Sequence, residues 1–194
     1  MSNTASYDKI ILGIDPGTNI MGYGLLGCKG KQFELINSGV VHLGKLDNHA
    51  LKLQKIFERT LYLIDTYNPD ELAIEAPFFG KNVQSMLKLG RAQGTAMAAA
   101  LYRNMPIFEY APKKVKSSIT GSGNASKEQV AAMLQTLCKF EEMPAYLDAT
   151  DGLAVAVCHF FQGTAVSTGL NTKKKTAKKG SWDSFLKNNP DRIV

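Results

Sequence analysis

Short apolar runs dominate the first quarter of the chain, and each is bounded by turn-forming residues. The apolar run at residues 10–14 stops at Asp15-Pro16-Gly17, a strong turn signal. Strand-like segments follow at residues 23–26 and 33–43, punctuated by glycines at positions 27, 30, 39 and 44. The pattern predicts three strands joined as a meander.

Helical spacing then takes over and alternates with short buried strands. Apolar residues recur at helical intervals over residues 51–67 and 83–103, and a capping box of Ser126 and Gln129 opens a helix over residues 126–139. Shorter helices are predicted at residues 112–118 and 150–161, and strands at residues 72–76 and 106–110. A meander followed by alternating helices and strands predicts an α/β fold, with a mixed sheet flanked by helices.

Four acidic residues stand at the ends of these apolar segments. Asp15 and Glu75 end two predicted strands, and Asp148 and Asp151 precede the apolar segment at residues 153–161. Ligands of such sheets bind at the carboxyl ends of parallel strands, and oxygen-only ligands favour Mg²⁺ or Mn²⁺. The four acids therefore predict a metal-dependent phosphoryl-transfer site. Structural alternatives stay open: Asp15 can simply begin a turn, and Asp148 and Asp151 can be the N-cap and N3 acids of a helix.

Length and charge divide the chain into two parts. Its 194 residues and 44% hydrophobic content predict one globular domain at residues 1–165, followed by a basic, flexible tail at residues 166–194. Seven basic and two acidic side chains after residue 170 give that segment +5 of the total net charge of +6, so overall basicity says little about the core. Three cysteines without metal spacing are expected to be reduced and structural, and a cytoplasmic protein without a membrane span is expected.

Several motifs resemble, in order, those of the RuvC Holliday-junction resolvases. They are Ile11-Leu12-Gly13-Ile14-Asp15-Pro16-Gly17-Thr18 with Gly22-Tyr23-Gly24; Ala73-Ile74-Glu75; Leu87-Lys88-Leu89-Gly90-Arg91-Ala92-Gln93-Gly94; Phe108-Glu109-Tyr110-Ala111; and Asp148-Ala149-Thr150-Asp151-Gly152-Leu153-Ala154. The resemblance implies an RNase H-like fold and a homodimer that cuts two strands of a four-way DNA junction by paired symmetric nicks. It also implies two Mg²⁺ ions per subunit, with Mn²⁺ as a substitute, held by the four acids, and products with 5′-phosphate ends.

The same resemblance implies a set of DNA-binding residues: Phe78, Lys81, Asn82, Lys116 and Lys127. Lys127 follows a helix cap, a place suited to phosphate, and Phe78 would stack on unpaired bases. Solvated surface positions for the lysines and core packing for Phe78 are the structural alternatives. A branch-migration complex of the RuvA and RuvB type is the implied protein partner.

Three other functions remain open from the sequence. An RNase H-like nuclease acting on RNA–DNA hybrids or other branched DNA would share the fold. The segment Gly13-Ile14-Asp15-Pro16-Gly17-Thr18 would also suit the phosphate loop of an actin-like or sugar-kinase lobe, although such folds need two lobes and this chain has room for one. A junction-binding protein without catalysis would not need the full set of acids.

Overall fold

The fold is built on one mixed five-stranded sheet. The structure, a computed structural model, describes residues 7–77, 82–139 and 147–167. The strands of this part are β1 (Lys9–Asp15), β2 (Ile20–Lys29), β3 (Gln32–His42), β4 (Glu71–Glu75) and β5 (Ile107–Tyr110). They lie in the order β3-β2-β1-β4-β5; the meander β1-β2-β3 is antiparallel, and β4 pairs in parallel with β1 and β5. The predicted mixed sheet is confirmed.

Helices cover both faces of the sheet. They are α1 (His49–Tyr67), α2 (Val83–Tyr102), α3 (Pro112–Thr120), α4 (Lys127–Cys138) and α5 (Leu147–Ser167). Helix α5 begins at Leu147, with Asp148 inside its first turn and Asp151 beyond it, so their alternative roles as N-cap and N3 acids are wrong. In the part of the chain that the structure describes, no helix is long and apolar enough to cross a membrane.

Local signals set several of these helix ends. The side chain of Asn48 accepts a hydrogen bond from the backbone N–H of Leu51 at the start of α1, and Asn68 ends the helix in the left-handed conformation. The capping box predicted for Ser126 and Gln129 is present, with both reciprocal hydrogen bonds formed. The first residue of α4, Lys127, therefore has a fixed backbone position.

Two apolar cores lie on opposite faces of the sheet. One joins the sheet to α3, α4 and α5, and the other joins it to α1 and α2. Helix α5 approaches the sheet closely because glycines face each other across the contact: a Cβ added to Gly13 would lie 2.3 Å from the carbonyl oxygen of Gly152. No side chain fits between the two backbones.

The prediction that the second strand ends before Gly27 is wrong. Gly27 lies inside β2 rather than after it, and Gly30, with φ of +58°, serves the turn between β2 and β3. Gly39 lies within β3, in agreement with the strand predicted at residues 33–43. Gly22 and Gly24 also lie inside β2, where the backbone of α5 leaves no room for a Cβ. Strand β2 is accordingly longer than the predicted segment at residues 23–26.

The predicted division into domain and tail falls mostly outside the described residues. Helix α5 continues to Ser167, two residues beyond the predicted boundary at residue 165. The basic segment at residues 168–194 lies outside the described part, so the tail stays a prediction.

Candidate active site

Two of the four acids end adjacent parallel strands. Ile14 pairs with Ile74 in the parallel register of β1 and β4, so the next residues, Asp15 and Glu75, leave the sheet side by side. Both are only partly exposed to solvent. The prediction that they lie together at the carboxyl edge of the sheet is confirmed.

Helix α5 brings Asp148 and Asp151 to the same edge. A Cβ added to Gly22, the strand partner of Asp15, would lie 2.0 Å from the backbone oxygen of Asp148. Burial raises the pKa of Asp15 well above its usual value, and the negative charges of Glu75, Asp151 and Asp148 raise it further. The four acids are thus close enough to repel one another.

Glu75 is perturbed in the same direction. Burial raises its pKa to about 7, with a further contribution from the charge of Asp151, while Lys127 and Lys116 act in the opposite direction. A carboxyl group with this pKa loses its proton readily near neutral pH when a cation becomes available.

Lys127 lies among the acids. Its Nζ is 2.5 Å from Oδ2 of Asp151 and 3.4 Å from Oδ1 of Asp148. Burial disfavours the charged ammonium, but the hydrogen bond and charge of Asp151, together with those of Asp148, outweigh burial and raise the pKa of Lys127. The ammonium is therefore held in its charged form.

A cavity of about 290 Å³ opens between these groups. Its wall contains Asp15, Glu75, Asp151, Lys116 and Lys127. A water molecule takes about 30 Å³ in the liquid, so the cavity has room for a phosphodiester group and cations. A wall that carries both acidic and basic groups suits an anionic substrate bound through metal ions.

Gln93 also lines this cavity and was not predicted. Its Nε2 donates to Oε2 of Glu109 at 2.8 Å and lies 3.4 Å from the backbone oxygen of Glu75. It thereby ties α2 to the ends of β4 and β5. In the sequence, Gln93 stands out only as a polar residue among small ones in Gly90-Arg91-Ala92-Gln93-Gly94. Its burial becomes evident only in the fold.

The donor chemistry of the pocket fits a hard divalent cation. All four acids offer oxygen ligands, and the repulsion that raises the pKa values of Asp15 and Glu75 would be relieved by positive charge. Within residues 7–77, 82–139 and 147–167, however, no three acidic, histidine or cysteine side chains are already placed to ligate one ion.

The predicted DNA-binding residues have different positions. Lys116 and Lys127 line the cavity. Asn82 caps α2, its side chain accepting a hydrogen bond from the backbone N–H of Ser85 at 3.0 Å. Phe78 and Lys81 lie outside the described residues.

A second polar cluster, also missed from the sequence, lies farther along α5. His159 is buried, with its Nε2 2.6 Å from Oε2 of Glu71 and its Nδ1 2.6 Å from the hydroxyl of Tyr110. Lys9 donates to the same Glu71 oxygen at 2.7 Å. This network joins α5 to β4 and β5, and a structural role accounts for it.

Comparison with known proteins gives consistent matches. A family profile described as crossover junction endodeoxyribonuclease RuvC matches residues 11–159. The protein of that name from Cytophaga hutchinsonii is 63% identical over 186 residues, covering 96% of this chain and 88% of the relative. The one from Bacteroides fragilis is 58% identical over 190 residues, covering 96% of each chain.

Solved structures agree with these matches. The structure of Thermus thermophilus RuvC in complex with a Holliday junction substrate has a TM-score of 0.76 and 29% identity, covering 82% of this chain and 97% of that one. The yeast mitochondrial Holliday junction resolvase Ydc2 shares the fold, with a TM-score of 0.61 at 14% identity, covering 85% of each chain.

The mixed sheet and the acidic pocket at its carboxyl edge define an RNase H-like protein of the nuclease class. Within that class, the chain belongs to the RuvC family of crossover junction endodeoxyribonucleases. The recognition made from the motifs is confirmed, and the alternative of an actin-like or sugar-kinase lobe is wrong.

Proposed function

We propose that this chain is a structure-specific DNA endonuclease that resolves four-way junctions by paired symmetric nicks. The observation that carries the proposal is the convergence of Asp15, Glu75, Asp148 and Asp151 beside Lys127 at one edge of the sheet. Family membership gives the reaction, and the relative from Thermus thermophilus supplies a junction as the substrate class.

Membership of the family implies a divalent metal ion as cofactor. The finer proposal is that the four acids hold two Mg²⁺ ions per subunit, with Mn²⁺ as a substitute. Ions held by these acids would lower the pKa of the attacking water and stabilise the negative charge on the leaving 3′ oxygen, which would give 5′-phosphate ends. The acids themselves only need to position the ions.

Basic and polar residues around the pocket are proposed to bind the DNA. Lys116 and Lys127, on the cavity wall, would contact the backbone phosphates. Lys81 and Asn82 precede α2, and Phe78 would stack on bases unpaired at the crossover. The side-chain amide of Asn82 can still donate to phosphate because its cap uses only the oxygen.

A homodimer through α2 is proposed to place two such pockets on one junction. Val83, Leu87 and Leu101 are 63%, 52% and 62% exposed. Several exposed apolar side chains on one helix are typical of a surface that binds another protein. A Cβ added at Gly90 or Gly94 would have no described atom within 4 Å, so the space beside these glycines is open in the monomer. A second copy of α2 would bury the apolar residues and fit closely at the glycines.

The remaining parts of the proposal rest on the sequence. A nuclease domain at residues 1–165 would carry the chemistry, and the basic segment at residues 166–194 would add affinity for DNA without sequence preference. A RuvA- and RuvB-type complex is proposed as the partner that moves the junction.

The test is a substrate comparison under one set of conditions. The full chain is incubated with Mg²⁺ and end-labelled DNA as a four-way junction, a linear duplex or an RNA–DNA hybrid, and the nicks are mapped. Paired nicks at symmetric positions of the junction, with little cutting of the other two, are expected. Faster cutting of the hybrid would instead support the nuclease alternative.

A further inference from the structure

Lys127 has an unusual place for a residue expected to bind DNA. Its Nζ bonds to Asp151 at 2.5 Å and to Asp148 at 3.4 Å, two of the oxygens needed to hold a metal ion. The capping box fixes the backbone that carries it, so this contact follows from the docking of α4 against α5. The Asp151 side chain is 17% exposed and that of Lys127 is 53% exposed, so solvent screens the ion pair only from the lysine side.

The charge of Lys127 reaches the whole acidic pocket. It is the cation that opposes the raised pKa of both Asp15 and Glu75, whereas Lys116 acts only on Glu75. In the described ranges, Lys116 forms no ion pair within 4 Å although it lines the same cavity. One ammonium group therefore partly neutralises the four carboxylates.

A divalent cation would need the same oxygens. At 2.5 Å the ammonium takes up a lone-pair direction of Asp151 Oδ2, and a bound dication beside it would be repelled by its charge. A cation coordinated by Asp148 and Asp151 would therefore have to displace the ammonium from these oxygens. Lys127 can withdraw, because its side chain is flexible and 53% exposed.

We propose that Lys127 is an internal counterion of the acidic pocket, which competes with the divalent metal for Asp148 and Asp151 and is released when the metal binds. The released ammonium would then be free to contact the phosphate of the DNA. Metal loading and the basic side of the pocket would thus be linked through one side chain. The inference depends on the proposed function only for the nature of the substrate, since the competition itself needs no DNA.

The first test measures metal affinity without DNA. Isothermal titration of the full-length protein with Mg²⁺, and separately with Mn²⁺, compares the parent with Lys127→Met. The matched control is Lys116→Met, which removes a lysine from the same cavity wall but no ion pair. Loss of a competing, half-exposed ion pair should tighten metal binding by roughly two- to fivefold in Lys127→Met. The change in Lys116→Met should be smaller.

Thermal unfolding provides a second comparison. In the presence of a chelator, Lys127→Met should melt below the parent because the carboxylates lose their counterion. Saturating Mg²⁺ should narrow the gap, since the metal then supplies the positive charge. If removing the lysine weakens metal binding or leaves it unchanged, Lys127 does not compete and the proposal is wrong.

A third measurement uses the unaltered side chain. Lysines are reductively methylated with ¹³C, and the Lys127 signal is assigned by its absence in Lys127→Gln. Addition of Mg²⁺ should shift this signal with the same saturation curve as metal binding, and should shift the Lys116 signal less. A Lys127 signal that stays unchanged at saturating metal would overturn the proposal even if the variants fold poorly. A failure of junction cleavage would count against the proposed function alone.

Discussion

The close contact between α5 and the sheet gives the sharpest prediction about stability. A Cβ added at Gly152 would lie 2.5 Å from both the Cα and the backbone nitrogen of Tyr23, and 2.6 Å from the carbonyl carbon of Gly22. Carbon atoms prefer about 3.5 Å or more, so Gly152→Ala forces the helix about 1 Å away from β2. The obstacles are backbone atoms of a buried strand, which cannot turn aside as a side chain would.

The expected size follows from two opposing effects. Overpacking of a core costs about 1–3 kcal/mol, and this contact should fall near the upper end because backbone meets backbone. Replacing glycine by alanine in a helix returns about 1 kcal/mol. We expect Gly152→Ala to lose about 2 kcal/mol of unfolding free energy, which lowers the melting temperature by roughly 4–8 °C at this chain length.

Gly163→Ala is the matched control in the same helix. No described atom lies within 4 Å of a Cβ at that position, so only the gain in helix propensity should remain, and the melting temperature should rise by roughly 2–4 °C. Scanning calorimetry of both variants decides the matter. Equal melting temperatures for the two variants would refute the close-contact explanation.

The same displacement should affect the site. Gly152 is adjacent to Asp151, and the helix carries both Asp148 and Asp151 toward Asp15. An error of about 1 Å in a catalytic position can cost about 100-fold in rate. Gly152→Ala should therefore cut junctions about 100-fold more slowly at a temperature where it is folded, while Gly163→Ala should keep the parent rate.

Three further predictions concern charge and assembly. Because the pKa of Glu75 is raised from 4.5 to about 7, the folded state retains a proton that the unfolded chain releases in this window, so the group's contribution to stability falls as pH rises. With chelator present, the free energy of unfolding of Glu75→Gln relative to that of the parent should rise by up to about 3 kcal/mol from pH 4.5 to pH 8, measured by urea unfolding. A difference between the two proteins that does not change with pH would contradict the raised pKa. Gly94→Leu should weaken the proposed dimer in sedimentation equilibrium, whereas the control Gly163→Leu should not. An unchanged dimer in Gly94→Leu would exclude this face of α2 as the interface. Truncation after Leu170 should make the slope of log affinity against log salt shallower by at most roughly 4–5 while cleavage at saturating protein persists, and an unchanged slope would contradict an electrostatic role for the tail.

The sequence was informative where a signal is local. Asp15 and Glu75 each end an apolar run, and the rule that ligands bind at the carboxyl ends of parallel strands was enough to bring them together. The capping box of Ser126 and Gln129 likewise follows from residues three apart. The ends of the apolar runs and the capping box are signals that depend only on neighbours in the chain.

Features that depend on packing between distant segments were missed. Gly27 looks like a strand break in the sequence, but β2 runs through it. The ion pair of Lys127 with Asp151 joins residues 24 positions apart through the docking of α4 on α5, and no periodicity encodes it. Gln93 likewise acquires its role only because α2 packs over the ends of β4 and β5.

The central claim is that the acidic pocket cuts DNA junctions by holding metal ions. The most direct measurement compares the parent with Asp15→Asn, which keeps the size of the side chain but removes a negative charge. Binding to a labelled four-way junction is measured with Ca²⁺, and nicking of the same junction is measured with Mg²⁺. We expect binding within about twofold of the parent, or tighter because repulsion of phosphate is reduced, with nicking lower by at least about 100-fold. Nicking near the parent rate in Asp15→Asn would contradict the assignment of this pocket as the active site.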